Sequence, residues 1–94
     1  MKVKTDALSN NHKQFMAVIN EAAALRASKL HDYGMSYKNF GALGVAVRMD
    51  DKMSRIKNII KNGKANHESL RDSAIDMVNY AAMLVMEIDD ANIQ

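Results

Sequence analysis

Residues 80–86, Tyr-Ala-Ala-Met-Leu-Val-Met, constrain the fold most, because every residue in this stretch is apolar. A helix that is apolar on all sides must be buried on all sides. Three helices drawn from 94 residues cannot surround such a segment within one chain. The simplest way to bury it is against a second copy, in a four-helix or larger bundle. The sequence therefore predicts a homo-oligomer.

Composition predicts an all-α fold for this chain. Proline is absent, and the four glycines fall between periodic segments. No internal repeat and no linker divides the sequence, so we expect residues 1–94 to form one three-helix protomer. The predicted helices run from about Asp6 or Ser9 to His31, from between Phe40 and Val45 to Asn62, and from Glu68 to Asp90.

Each predicted helix has one face on which apolar residues recur at spacings of three and four. We expect these faces to be buried in the bundle. They consist of Phe15, Val18, Ile19, Ala22 and Leu25 on the first helix, of Met49, Met53, Ile56 and Ile60 on the second, and of Leu70, Ala74, Met77, Ala81, Leu84 and Ile88 on the third.

A second stripe of the third helix carries acidic and amide side chains. It consists of Glu68, Asp72, Asp76 and Asn79. Carboxylates beside a packed surface are the arrangement with which helical bundles hold divalent metals. A solvated polar face is the alternative, but Met83 and Met86 continue the stripe as apolar residues. We therefore expect more than a solvent-facing surface here.

The charged residues of the second helix can be interpreted in two ways. Asp51 and Arg55 are four residues apart, so they could form a surface ion pair worth about 0.2–0.5 kcal/mol. Alternatively, Asp51 faces the acids of the third helix, and Lys52 or Arg55 contacts phosphate oxygens.

The connection between the first two helices is dense in rings and hydrogen-bonding groups. Aromatic rings with nearby amides can stack a nucleobase and bind its edge. A surface loop whose tyrosines cover the end of the bundle is the alternative. The residues concerned are Lys29, Asp32, Tyr33, Ser36, Tyr37 and Asn39.

Cysteine usage and charge exclude several classes of protein. The chain has no cysteine, which excludes disulfide scaffolds, thiolate zinc sites and cysteine nucleophiles. A net charge of +2 does not by itself argue for nucleic-acid binding. No signal-peptide core follows Lys2 and Lys4, and no apolar run is long enough to span a membrane. We expect a soluble, cytoplasmic protein.

Three stretches, residues 29–37, 44–56 and 68–81, together resemble the nucleotide modification associated domain. This is a small all-α domain common in phages and related to the MazG-like all-α nucleoside triphosphate pyrophosphohydrolases. The resemblance implies a helical bundle that acts on or binds nucleotides in phage nucleotide metabolism, in the cytoplasm of the host cell. The nucleotide-binding residues predicted with it are Lys29, Asp32, Tyr33, Ser36, Tyr37, Asn39, Asn79 and Tyr80.

The resemblance leaves two main functions open. Enzymes of the MazG type hold magnesium with a Glu-x-x-Glu pair on one helix and a Glu-x-x-Asp pair on the next. In this chain Asp76 matches the last acid, but Ser73 stands three positions before it. A Mg²⁺-dependent hydrolase that cleaves the α–β phosphoanhydride of a (deoxy)nucleoside triphosphate is the first function. Its metal ligands would be Asp51, Glu68, Asp72 and Asp76, and its catalytic cations Lys52 and Arg55.

The second function is a non-catalytic oligomer that sequesters or delivers a nucleotide. It would use the same loop and the same cations without turnover. A small oligomeric interaction protein without a ligand is the plainest alternative.

Overall fold

The computed structural model describes residues 2–63 and 69–93, with side chains from residue 6 onward. In these ranges the chain forms three α-helices and no strand, which confirms the predicted all-α class. The elements are α1 (Lys2–Tyr33), a short 3-10 helix (Ser36–Lys38), α2 (Gly41–Asn62) and α3 (Leu70–Ala91).

Helix α1 is longer at both ends than predicted. It begins at Lys2, because neither glycine nor proline interrupts the chain before the predicted caps. It continues to Tyr33, where Gly34 ends it with φ +61°, a left-handed conformation that glycine adopts without strain. The Gly34 N–H donates to the carbonyl of Leu30 at 2.8 Å. Gly34 is therefore the residue at which α1 stops.

Helix α2 has the bounds that the sequence predicts. It begins at Gly41 and ends at Asn62. Gly63 caps it with φ +69°, and its N–H donates to the Ile59 carbonyl at 2.7 Å.

Helix α3 begins at Leu70, two residues after its predicted start. Ser69 is the N-cap, and its hydroxyl oxygen accepts from the Asp72 N–H at 3.0 Å. Glu68, which we predicted in the first turn, lies outside the described residues. The helix extends to Ala91, one residue beyond its predicted end.

Helix α3 is central, with α2 packed along it and α1 contacting it over a shorter length. The apolar core is small and consists of Ala22, Val45, Ile75 and Met83. None of the three helices, over their described residues, is long and apolar enough to cross a membrane.

The face of α3 that is buried is not the one predicted. Leu70, Ala74 and Ala81 are exposed, whereas Met77, Leu84 and Ile88 are half-buried. The buried positions are Ser73, Ile75, Asn79, Met83 and Glu87. Two of the polar residues on this face have partners on other elements, since Asn79 donates to the Ala22 carbonyl on α1 and Glu87 pairs with Lys38 of the 3-10 helix, so the helix can turn them inward. Of the predicted acidic stripe, Asn79 is buried and Asp76 is half-buried, whereas Asp72 is exposed.

The predicted core faces of α1 and α2 are also only partly covered. On α1, Ala22 is buried, but Phe15 and Leu25 are exposed. On α2, Met53 and Ile60 are exposed, and the fully buried apolar residue is Val45 instead. Three helices in one chain supply no second layer that could cover these faces.

The protomer is far from spherical. Its radius of gyration is 16.0 Å, compared with about 12 Å expected for a compact domain of this length. Its accessible surface of 7326 Å² exceeds by roughly 1,900 Å² that of a compact monomer of the same mass. Large apolar side chains, among them Phe15, Phe40 and Leu43, are part of this exposed surface.

Candidate functional site

A pocket of about 390 Å³ lies between the C-terminal part of α1, the 3-10 helix, α2 and α3. This volume is at the small end of the range of ligand sites, about 300–1,000 Å³. The walls combine three cations with three aromatic rings, further polar groups and a few apolar atoms. They are formed by Arg26, Lys29 and Arg48, by Tyr33, Tyr37 and Tyr80, by Ser36, Asp76 and Asn79, and by Leu30, Gly34 and Met83.

Asp76 joins all three helices at one side of the pocket. Its Oδ1 lies 2.9 Å from the Lys29 ammonium on α1, and its Oδ2 lies 2.9 Å from the Lys52 ammonium on α2. Burial disfavours the charged form of Asp76, but the two lysines outweigh it and hold the pKa of this carboxyl below its usual value. Asp76 is therefore a stably ionised carboxylate with both oxygens paired.

Asn79 fixes α3 against α1 within the pocket wall. Its side chain is buried, and its amide nitrogen donates to the carbonyl of Ala22 at 2.8 Å. A buried amide needs such a partner, because an unsatisfied one costs about 1–3 kcal/mol. This hydrogen bond sets the register at which Arg26 and Lys29 of α1 reach the pocket.

Tyr37 presents its ring next to two cations. The Arg26 guanidinium lies 5.5 Å from the ring centroid, and the Lys38 ammonium lies 5.5 Å from the same centroid. Both distances are in the cation–π range. The Nε of Arg26 is buried and has no hydrogen-bond partner among the described residues. This nitrogen is closed off from solvent, whereas other parts of the Arg26 side chain line the pocket.

Lys38 ties the 3-10 helix to the end of α3. It forms ion pairs with the buried Glu87 and, at 3.0 Å, with Asp90. Hydrogen bonds to Glu87 and Asp90 raise the pKa of Lys38 above its ordinary value. These contacts hold the neighbouring Tyr37 in the wall of the pocket.

Six of the eight predicted nucleotide-binding residues line this pocket. They are Lys29, Tyr33, Ser36, Tyr37, Asn79 and Tyr80. Asp32 and Asn39 are exposed and lie outside it. Asp32 precedes Tyr33 on α1, and a rotation of 100° per residue turns neighbouring side chains to different sides of a helix.

The four predicted metal ligands are not brought together in the described part of the chain. Asp76 lines the pocket, Asp51 and Asp72 are exposed outside it, and Glu68 lies outside the described residues. Among residues 6–63 and 69–93, no three His, Asp or Glu side chains are placed to hold a metal ion. Mg²⁺ prefers oxygen ligands, and two ammonium groups on the Asp76 oxygens would repel it. These residues do not fit the ion, and the Mg²⁺ site stays a prediction.

The two predicted catalytic cations have different positions. Lys52 contacts Asp76 behind the pocket wall, whereas Arg55 is exposed on α2 and does not line the pocket.

Sequence reasoning missed Arg26 and Arg48 as pocket residues. Arg26, Leu30 and Tyr33 follow one another at spacings of four and three, so they share one face of α1. From this spacing, Arg26 could have been predicted as a nucleotide-binding residue together with Lys29 and Tyr33. Arg48 has no comparable local signal, because it reaches the pocket only through the packing of α2 on α3.

Comparison with known proteins identifies the family. The sequence matches the family described as nucleotide modification associated domain 1 over residues 29–88. All pocket-lining residues except Arg26 fall within this match. No curated protein and no solved structure matches the chain. Because the match covers more than half of its 94 residues, the chain belongs to the nucleotide modification associated domain 1 family.

Proposed function

We propose that this protein binds a nucleotide in the pocket between α1, α2 and α3. The observation that carries the proposal is the combination of aromatic rings and cations in one small cavity. The family description, which concerns nucleotide modification, supports the same class of ligand.

The pocket offers a separate partner for each part of a nucleotide. Tyr33 is 71% exposed, so its ring is free to stack on a base, an interaction worth about 1–3 kcal/mol. Arg26 and Arg48 carry guanidinium groups, whose planar donors match phosphate oxygens. Ser36 adds a hydroxyl that can donate to a polar edge of the ligand.

Binding without turnover is the function that we favour. The carboxylate of the pocket, Asp76, has a lowered pKa and is held by two lysines. A general base works best when its pKa lies near the operating pH, and a strongly ionised, paired carboxylate is a weak one. The protein would then sequester a nucleotide or deliver it.

Mg²⁺-dependent hydrolysis of a nucleoside triphosphate is the second proposal. What supports it is the position of Asp76, which among the described residues is the one predicted metal ligand that lines the pocket; it requires that both lysines leave this carboxylate before Mg²⁺ binds. With this second function we also propose that the protein is related to the MazG-like enzymes, comes from a phage and acts in the cytoplasm.

We also propose that the protein is a homo-oligomer. The surface in excess of a compact monomer, roughly 1,900 Å², is more than the ~800 Å² that each partner buries in a standard interface. Large apolar side chains are exposed at helical spacing on two elements. They are Leu8 and Phe15 on α1, and Leu43 and Val47 on α2.

Parallel calorimetry and pyrophosphate release, with a panel of nucleotides in the presence and absence of Mg²⁺, test these functions. Saturable binding without pyrophosphate supports the favoured proposal, and pyrophosphate release supports the second. Tyr33→Ala should weaken binding by about 1–3 kcal/mol, whereas Tyr33→Phe keeps the ring and should bind nearly as well as the wild type. If no nucleotide binds, both proposals fail.

A further inference from the structure

We infer that the pocket holds the phosphate of a mononucleotide directly on Arg26, Lys29 and Arg48, without a divalent cation. This inference rests on the proposed nucleotide-binding function. It adds the charge state of the ligand and the way in which the phosphate is held.

Charge in the pocket matches a phosphate monoester. Three cations and one carboxylate line it, which leaves a surplus of two positive charges. A phosphate monoester carries about −1.5 to −2 charges near pH 7. Its binding would neutralise the surplus, whereas a nucleoside without phosphate would leave it unmatched.

Arg26 already has the geometry of an anion receptor. Its guanidinium is placed 5.5 Å from the Tyr37 ring centroid, and its buried Nε still lacks an acceptor among the described residues. Because this Nε is closed off from solvent, a phosphate would bind the parts of the Arg26 side chain that line the pocket. Because the side chain is held in advance, little conformational entropy is lost when the anion binds.

Lys29 can contact a phosphate without leaving Asp76 unpaired. Its side chain is 48% exposed, and its ion pair with Asp76 is therefore at the edge of the pocket. If Lys29 turns toward the ligand, Lys52 still contacts the other oxygen of Asp76 at 2.9 Å. Lys52 is thus the residue that keeps the half-buried carboxylate paired in both states.

The same arrangement disfavours a metal ion at the phosphate. Arg26, Lys29 and Arg48 already provide the positive charge that Mg²⁺ supplies in many nucleotide sites. A divalent cation among them would be repelled, and chelation would reduce the negative charge of the ligand that they bind. The volume of about 390 Å³ suits a single base, sugar and phosphate.

Isothermal titration in EDTA, with a set of nucleoside monophosphates and the matching nucleosides, tests the inference. For the base that binds best, we expect the monophosphate to bind at least tenfold more tightly than its nucleoside. Exchange of EDTA for Mg²⁺ should not strengthen binding. Affinity for the monophosphate should fall as salt is raised, because the contacts are charged.

Single substitutions locate the phosphate. Arg48→Gln and Arg26→Gln should each lower the affinity for the monophosphate at least tenfold and leave the affinity for the nucleoside nearly unchanged. Lys57→Gln is the matched control, because it removes one positive charge from an exposed position on α2 outside the pocket. Circular dichroism melting of each variant verifies that it is folded.

The outcomes separate this inference from the proposed function. Equal affinities for nucleoside and monophosphate, or binding that requires Mg²⁺, would overturn the inference and leave nucleotide binding intact. If neither ligand binds with or without Mg²⁺, the inference fails; the proposed function fails as well only if no member of the nucleotide panel binds.

Discussion

The two halves of α1 have opposite surroundings although they belong to one helix. Residues 6–17 are all exposed, including the apolar Leu8 and Phe15. The C-terminal half meets α3 through polar contacts, among them the Asn79–Ala22 hydrogen bond and the Lys29–Asp76 ion pair. The chain thus places polar contacts around a pocket at one end of α1 and exposes apolar side chains at the other end. This contrast is the basis of our two proposals, that the pocket binds a nucleotide and that a second copy covers the exposed half of α1.

The largest expected effect is the loss of assembly when the exposed half of α1 becomes charged. Phe15→Asp should shift the protein from an oligomer toward a monomer, because a buried phenylalanine contributes about 1.5–3 kcal/mol per site. Sedimentation velocity at micromolar concentration measures the shift. Lys13→Gln, an exposed polar position on the same half, should leave the oligomer intact. A folded wild-type protein that sediments as a monomer of 10.5 kDa would contradict the proposal that the exposed half of α1 forms an interface.

In the polar half, Asn79 should contribute most to stability. Asn79→Ala removes the buried hydrogen bond to Ala22 and leaves a small cavity, so we expect a loss of about 1–3 kcal/mol in the free energy of unfolding. Urea denaturation followed by circular dichroism gives the value. Asn58→Ala, at an exposed position on α2, should change it by less than about 0.5 kcal/mol. Equal effects at the two sites would contradict the role of Asn79.

Acid should destabilise the polar half through Asp76. Its pKa is lowered in the folded protein, so its contribution is present above the ordinary value of 3.8 and is lost as pH falls through the folded pKa. Asp76→Asn should therefore show a smaller difference in unfolding free energy between pH 7 and pH 3 than the wild type. Asp89→Asn, an exposed control, should retain the wild-type difference. If Asp76→Asn also retains it, the two lysines do not stabilise this carboxylate.

The smallest expected effect concerns the ion pair at the solvent edge between the halves. Arg71 contacts both Glu21 oxygens, at 2.6 and 2.7 Å, and this guanidinium lowers the pKa of Glu21. Both side chains are exposed, so solvent screens the pair. Arg71→Gln should lower the melting temperature less than Asn79→Ala does. Added salt should bring the melting temperatures of Arg71→Gln and the wild type together, because it screens the ion pair. A loss that persists at 1 M salt would show that the contact does more than pair surface charges.

The sequence predicts the helices well because their ends are local. Gly34 and Gly63 take left-handed conformations that other residues adopt with strain, and both follow the apolar repeats directly. The buried face of α3 could not be predicted in this way. A heptad pattern identifies a face that needs cover, but it does not distinguish a helix of the same chain from a second copy.

The pocket was predictable where its residues cluster along the chain. Lys29, Tyr33, Ser36 and Tyr37 come from one short stretch, and their chemistry alone indicates a ligand. Arg48 is distant in sequence and required knowledge of how α2 packs on α3.

Crystals of the protein soaked with the best-binding nucleoside monophosphate, in the absence of metal, test most directly the central claim that the pocket between the helices binds this ligand. We predict that the phosphate contacts Arg26 and Arg48, that the base lies against Tyr33 or Tyr37, and that another copy covers Phe15. A nucleotide bound elsewhere on the protein, beside Asp51 or Asp72 for example, with the pocket between the helices left empty, would contradict it.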